Sequence, residues 1–287
     1  MSVNGDAWAR TWPAPAKLNL MLHVIGRRDD GYHRLQTLFR LIDLCDDLRF
    51  EPRRDGRIRL ARGAPGVAED DDLCVRAAHA LRQATGCKRG VDIHLHKHIP
   101  MQGGLGGGSS DAATVLVALD HLWGTRVGTT GLQRLGLALG ADVPVFVAGY
   151  NAFAEGVGEV LTPVDLPPED YLVVRPPAAV ATAAVFQAPD LTRSTPPTTI
   201  SRVLAGEGGN DCTGVVTRLY PVIGEVLAWL AGFGEPRLSG TGACVFMPCT
   251  RQQAERLLAS LPHGCEGWFV HGLDVSPLRA LVAAGTT

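Results

Sequence analysis

The chain has 287 residues, 46% hydrophobic and 20% charged, with a formal net charge of −2. That length holds one large or two ordinary domains with an ample core. A near-neutral charge with no basic stripe argues against a nucleic-acid surface, and no apolar run is long enough to span a bilayer.

Seven cysteines are scattered without a C-x-x-C pair. An odd, unpatterned set favours free thiols in a reducing cytoplasm over a disulfide framework or a zinc site. The N-terminus carries Asp6 and Arg10 and lacks the apolar stretch of a secretion signal.

Residues 16–24 alternate. Ala16, Leu18, Leu20, Leu22 and Val24 share one face, and Lys17, Asn19, Met21 and His23 the other, the period of a strand. Lys17 and Asn19 therefore point the same way, off the more apolar face. Lys17 is one of only three lysines in an arginine-rich chain, which weakly favours a need for a compact ammonium. Residues 26–31 form a polar turn, followed by Tyr32 and His33. The Tyr32 ring can pack on the core or stack on a base.

Apolar character resumes over 35–44. Residues 46–51 and 57–60 read as strands joined by a turn at Asp55-Gly56, which makes the arginine-rich stretch a solvated hairpin. Asp70–Asp72 marks a helix start, with helical spacing over 73–84 and a stop at Gly86. Residues 91–98 form the next strand. His94, His96 and His98 alternate on one of its faces, a geometry that can chelate a metal. No carboxylate or cysteine sits at matching spacing, and a solvated strand face accounts for them as well.

The stretch Pro100, Met101, Gln102, Gly103, Gly104, Leu105, Gly106, Gly107, Gly108, Ser109, Ser110 packs five glycines into six residues ahead of an amphipathic helix over 111–123. Glycine costs backbone entropy and packs nothing, so such a run needs a reason. Backbone N–H groups closing on an anion at a helix N-terminus supply one, and the stretch reads as a phosphate cradle. It is not a Walker A loop, because Ser109 stands where the lysine belongs, and it also fails the G-x-G-x-x-G fingerprint at Ser109. Ser109 or Ser110 is expected to cap the helix.

Thr129 or Thr130 can cap another helix ending at Gly140. Asp142 then stands before a short apolar strand at 143–147, either as a turn or cap residue or as a carboxylate able to take a hydroxyl proton. A further strand lies within 151–161. Prolines at 163, 167 and 168 suggest a seam dividing a domain of residues 1–164 from one of 165–287. Beyond it come a strand at 171–175 and a proline-rich loop holding Thr182 and Phe186. A long apolar helix at 215–230 follows, then strands at 244–247 and 268–271 around a helix at 251–261, a small α+β layer. Ser239, Gly240, Thr241 and Gly242 form a second glycine-rich turn, which alone need be no more than a tight turn.

Together these segments resemble the GHMP small-molecule kinases, the family of galactokinase, homoserine kinase, mevalonate kinase and phosphomevalonate kinase. Pro13-Ala14-Pro15-Ala16-Lys17-Leu18-Asn19-Leu20 looks like the first family motif, residues 100–110 the second, and Leu238-Ser239-Gly240-Thr241-Gly242-Ala243-Cys244 the third. Asp30-Gly31-Tyr32-His33, Leu35-Gln36-Thr37 and Leu139-Gly140-Ala141-Asp142-Val143-Pro144 are similar to the branch acting on a cytidylylated methylerythritol in the non-mevalonate isoprenoid route. The similarity runs from about Trp12 to Leu278.

The resemblance implies an α+β fold of two domains, the first like ribosomal protein S5 and the second ferredoxin-like, with the site in the cleft between them. It implies transfer of the ATP γ-phosphate to a 2-hydroxyl, with Asp142 as base, Lys17 as its partner and residues 100–110 holding ATP. Asn19 would help hold the substrate, Tyr32 and Phe186 would sandwich the cytosine, and His33 would hydrogen-bond its edge. Thr182 and Lys97 would add polar contacts. Mg2+ is expected with ATP, held mainly by phosphates and water because no acidic pair is evident. Asp111 is expected to face away from the phosphates. The expected partner is a small molecule carrying cytidine diphosphate, with no nucleic acid or membrane, bound by a cytoplasmic monomer or weak homodimer. A GHMP kinase for another small alcohol, or a nucleotide-binding module without catalysis, are the alternative readings.

Overall fold

In the computed structural model, which describes residues 7–29 and 31–283, a long antiparallel pair forms the spine. It consists of β1 (Trp12–Arg27) and β2 (His33–Arg53). Asp6 and Asp30 lie outside the described residues. β1 is buried on both faces over most of its length, so Lys17 and Asn19 are themselves buried. Register shifts between Pro15 and Ala16, between Asn19 and Met21, and between Val24 and Gly26 bend the strand and break its simple alternation.

The first half continues with β3 (Ile58–Arg62), a 3-10 turn at Glu69–Asp71, α1 (Leu73–Thr85), β4 (Gly90–His96) and α2 (Gly107–Trp123). Then come α3 (Gly128–Leu137), α4 (Val143–Ala148), β5 (Ala152–Glu155) and β6 (Val160–Pro163). The second half holds β7 (Asp170–Arg175), α5 (Thr182–Gln187), α6 (Ile200–Leu204), α7 (Thr213–Leu219) and α8 (Pro221–Ala231). It closes with β8 (Arg237–Leu238), β9 (Val245–Pro248), α9 (Arg251–Leu258), β10 (Glu266–Leu273) and α10 (Pro277–Ala283).

The strands join in the order β3-β4-β2-β10-β7-β9-β8, with β1 and β5 also on β2 and β6 on β5. β10 stitches the halves, pairing with β7 through Trp268 and Val173 and with β2 through Gly272 and Ile42. One core lies under α1, α2 and α4, around Phe50, Leu81, Ile93, Leu116 and Phe146, and Leu278 of α10 returns to it. A second, around Leu172, Val216, Ile223 and Met247, takes Leu22 and Val24 from β1. β1 thus serves both cores, which places its middle, Lys17 to Asn19, between them. Among the described residues no single helix is long and apolar enough to cross a membrane.

Several local expectations change. The apolar run at 143–147 is not a strand but the helix α4, buried throughout, with Pro144 in its first turn and Gly149 ending it at φ 68°. β2 and β3 form no hairpin: β4 inserts between them, antiparallel to β2 and parallel to β3, which brings Val91, Ile93 and Leu95 into the core. The long helix expected at 215–230 breaks at Tyr220, which leaves the helical region (φ −132°, ψ 77°) before Pro221, and its two halves bend by 119°. The strand expected within 151–161 is the hairpin β5–β6. α3 starts at Gly128 with no threonine cap.

Candidate active site

A cleft of about 630 Å³ has the glycine loop on one wall and β1 at its floor. The loop leaves β4 and enters α2. Gln102, Gly104 and Gly106 take φ values of 56°, 73° and 75°, and residues alternating into the left-handed region make the N–H concavities that bind anions. Glycine at 104 is a steric requirement: an added Cβ would lie 2.1 Å from the Ser239 carbonyl oxygen. At Gly106 it would meet Phe146 at 2.8 Å.

The third glycine motif braces the loop from behind. The Ala243 N–H donates to the Gln102 carbonyl at 3.2 Å and the Cys244 N–H to that of Gly103 at 3.0 Å. The Ser239 hydroxyl donates to the Gly104 carbonyl at 3.0 Å. Gly240 and Thr241 reach the cleft, while Ser239 and Gly242 act from behind it.

The serine cap does not form. Gly106 is the N-cap of α2 and no side chain caps its first turn, so those N–H groups stay open to an anion, aided by the helix dipole. Of the two serines, only Ser109 lines the cleft. Ser110 is fully buried and donates its hydroxyl to the Pro15 carbonyl at 2.7 Å, so it pins the loop to β1 instead of facing a ligand.

Lys97 stands against the loop, 3.1 Å from where a Cβ on Gly107 would be. Its ammonium pairs with Asp46 and, at 2.7 Å, with Asp111. Asp111 does not face away: it is buried in this cluster and lines the cleft. Burial pushes the Asp111 carboxyl well above the ordinary range, against the pull of Lys97, because two carboxylates share one ammonium. Burial works to lower Lys97, but Asp111 and Asp46 outweigh it and hold its ammonium charged.

At the floor, the Lys17 ammonium has two hydrogen-bond acceptors and one ion-pair partner. They are Asn19 Oδ1 at 2.5 Å, the Gly104 carbonyl at 2.8 Å and Asp142 Oδ2 at 3.5 Å. Burial lowers the Lys17 pKa, and the Asp142 carboxylate opposes that shift. Asp142 occupies the N-cap position of α4 but makes no cap hydrogen bond. Its side chain stays one-third exposed (33%) beside Lys17, so the cap reading fails and the carboxylate is open to the cleft. Asn19 is oriented by Thr37, which accepts from its Nδ2 at 2.8 Å.

At the far end Phe186 and Thr182 of α5 line the cleft, while His33, at the start of β2, meets it only through Phe186. The His33 and Phe186 rings stack with centroids 5.1 Å apart and planes at 27°. Tyr32, next to His33 in sequence, is 64% exposed and does not line the cleft. Thr182 and Thr241 hydroxyls meet at 3.0 Å. Arg193 Nε donates to His33 Nε2 at 3.1 Å. Burial, then the cations Arg193 and Arg27, hold His33 below the ordinary histidine pKa.

Sequence reasoning assigned no part to Thr37 or Arg193. Thr37 carried a signal, a hydroxyl in an apolar strand; Arg193, in an irregular loop, carried none. His94, His96 and His98 do not line the cleft, and His98 pairs with Asp47 at 3.4 Å. Among the described residues no group of three His, Cys, Asp or Glu could hold a metal ion.

The family model for the GHMP kinases N terminal domain matches residues 72–150, and that for GHMP kinases C terminal matches residues 198–267. The chain is 55% identical to the 4-diphosphocytidyl-2-C-methyl-D-erythritol kinase of Dechloromonas aromatica, over 94% of this chain and 99% of that protein. It is 53% identical to the protein of that name from Nitrosococcus oceani, over 93% and 96%. A crystal structure of 4-(cytidine 5'-diphospho)-2C-methyl-D-erythritol kinase is 37% identical, with a TM-score of 0.80 over 92% of this chain and 99% of that one. A mevalonate kinase crystal structure at 13% identity has a TM-score of 0.69 over 93% and 100%, a likeness of fold alone.

Proposed function

The chain belongs to the GHMP kinases, and on that premise we propose that it transfers the γ-phosphate of ATP to the 2-hydroxyl of 4-diphosphocytidyl-2-C-methyl-D-erythritol. The products are the 2-phosphate and ADP, in isoprenoid precursor synthesis. The observation that carries this reading is the Lys17–Asp142 pair, 3.5 Å apart, in the cleft that the glycine loop lines.

An alkyl hydroxyl is far too weak an acid to ionise alone at neutral pH. As its oxygen bonds to the γ-phosphorus, the proton passes to the Asp142 carboxylate and the bond to the ADP oxygen breaks, ADP leaving with the electron pair. The Lys17 ammonium, paired with Asp142 at 3.5 Å, offsets the negative charge developing beside it. Asn19 fixes that ammonium and the acceptor. The open N–H groups of the loop and the α2 first turn hold the ATP phosphates.

The donors present fit Mg2+ carried on phosphates and water, because Asp111 is tied to Lys97 and Asp142 to Lys17. The Ser109 hydroxyl and the open edge of Asp142 are the groups that would touch it, and the ion would neutralise phosphate charge. Tyr32, His33 and Phe186 take the cytosine, with Thr182 beside them. Lys97 supports the loop rather than the acceptor. We take residues 1–164 and 165–287 as the domains flanking the cleft, in a cytoplasmic protein working as a monomer or weak dimer on a small molecule.

The test is ADP release by the purified protein with the cytidylylated methylerythritol, mevalonate or homoserine as acceptor. Turnover with the first alone is expected. Failure with the first and turnover with either other would overturn the acceptor assignment.

A further inference from the structure

Arg193 sits in the irregular segment after α5, and its guanidinium is committed on every side. Its Nη2 donates to the carbonyls of Phe186 at 2.9 Å and Ala188 at 2.7 Å, and its Nη1 to that of Leu191 at 3.1 Å. These bonds fix the plane of the fork, and its Nε–H points at His33 Nε2 at 3.1 Å. Three backbone anchors leave the arginine little freedom to turn away.

An arginine has donors and no acceptor. The ring nitrogen that receives its N–H must therefore carry a lone pair, so Nε2 of His33 is unprotonated. In a neutral imidazole the single proton then resides on Nδ1. Protonating Nε2 would set two N–H groups against each other, beside Arg193 and also Arg27, the cross-strand neighbour of His33. With Nε2 occupied, Nδ1 is the nitrogen available to a base, and it can only donate. Phe186, whose carbonyl Arg193 grips, is the ring stacked on His33. One side chain thus sets both the hydrogen-bonding edge and the stacking platform.

We propose that Arg193 is a positioning residue that locks His33 in its Nδ1–H tautomer, so that the ring offers a pyrimidine a donor and selects cytosine over uracil. Cytosine carries a bare acceptor nitrogen at position 3, whereas uracil carries an N–H there. A fixed donor fits the first and opposes the second, and a site built around one hydrogen bond rejects the analogue that cannot make it. The inference rests on the proposed acceptor but not on its chemistry of transfer.

Nitrogen-15 NMR of His33 in the full chain, assigned by comparison with H33Q, reads the tautomer without any turnover. A proton on Nδ1 is expected, and a proton on Nε2 overturns the proposal. Steady-state kinetics of R193Q and R193K give the second arm. R193Q is expected to raise the KM for the cytidylylated acceptor about tenfold, the worth of one hydrogen bond. Its kcat and its KM for ATP should change little, and its preference over the uridine analogue should narrow.

R193K, which restores a donor and a charge, should recover part of the loss. As pH falls, the acceptor KM of R193Q should begin to rise at a higher pH than that of the wild type, because burial, then Arg193 and Arg27, hold His33 below the ordinary histidine pKa. An acceptor KM, base preference and pH profile all unchanged in R193Q would overturn the proposal. Wild-type protein inert toward the cytidylylated acceptor would instead sink the acceptor assignment, leaving the tautomer to be decided by NMR. If R193Q does not fold, the wild-type tautomer and R193K decide.

Discussion

The two ends of the cleft are built by opposite means. The glycine loop is braced by backbone bonds from the 239–244 turn, pinned to β1 by Ser110, and backed by the buried Lys97 cluster. The wall around His33 and Phe186 joins a strand end to a six-residue helix through one arginine in a loop, with its members half-buried. Phosphoryl transfer needs atoms placed to a fraction of an ångström, and positions crossing a packed core supply that. Base selection tolerates more movement, and loop-borne side chains are where a fold changes ligand without changing chemistry.

The contrast can be broken at chosen points. The largest effect is expected from Gly104→Val, which forces side-chain atoms onto the Ser239 carbonyl at a φ of 73°. It should cost about 3 kcal/mol of stability and abolish ATP binding, as measured by thermal unfolding and nucleotide titration. Next, Lys17→Met should lower kcat by about 10²–10³-fold in a folded protein, since Asp142 keeps contact with water. A lowered unfolding temperature with kcat of the folded fraction unchanged would make Lys17 a structural residue only.

Smallest of the three, Phe186→Ala should raise the acceptor KM about tenfold, the low end of what base–aromatic stacking is worth. The ATP KM and kcat should hold. A kcat loss as large as that of Lys17→Met would erase the distinction between the two ends.

The rigid end was the more legible in the sequence, for a physical reason. Its demands are local: a glycine run where no Cβ fits, an alternating strand that sets Lys17 beside Asn19, and an acid at a chain reversal. The fold then brings Lys17 and Asp142 within 3.5 Å, a distance no spacing could give. The run at 143–147 was misread because a short, wholly buried apolar segment suits a strand or a helix equally. Pro144 and Gly149 were the local cues for a helix. The misplaced hairpin has another origin, since β4 enters between β2 and β3 from about 30 residues on, through pairing that no local pattern encodes. Arg193 carries no signal because its nearby partners are backbone carbonyls, which no side-chain pattern marks, and the ring it meets is 160 positions away in sequence.

In the proposed transfer the acceptor's proton leaves to Asp142 beside the Lys17 ammonium. Single-turnover phosphoryl transfer by Asp142→Ala, measured alongside its ATP affinity, tests it most directly. Transfer should slow by about 10²–10⁴-fold with ATP bound as tightly as by the wild type. Transfer at the wild-type rate would contradict it.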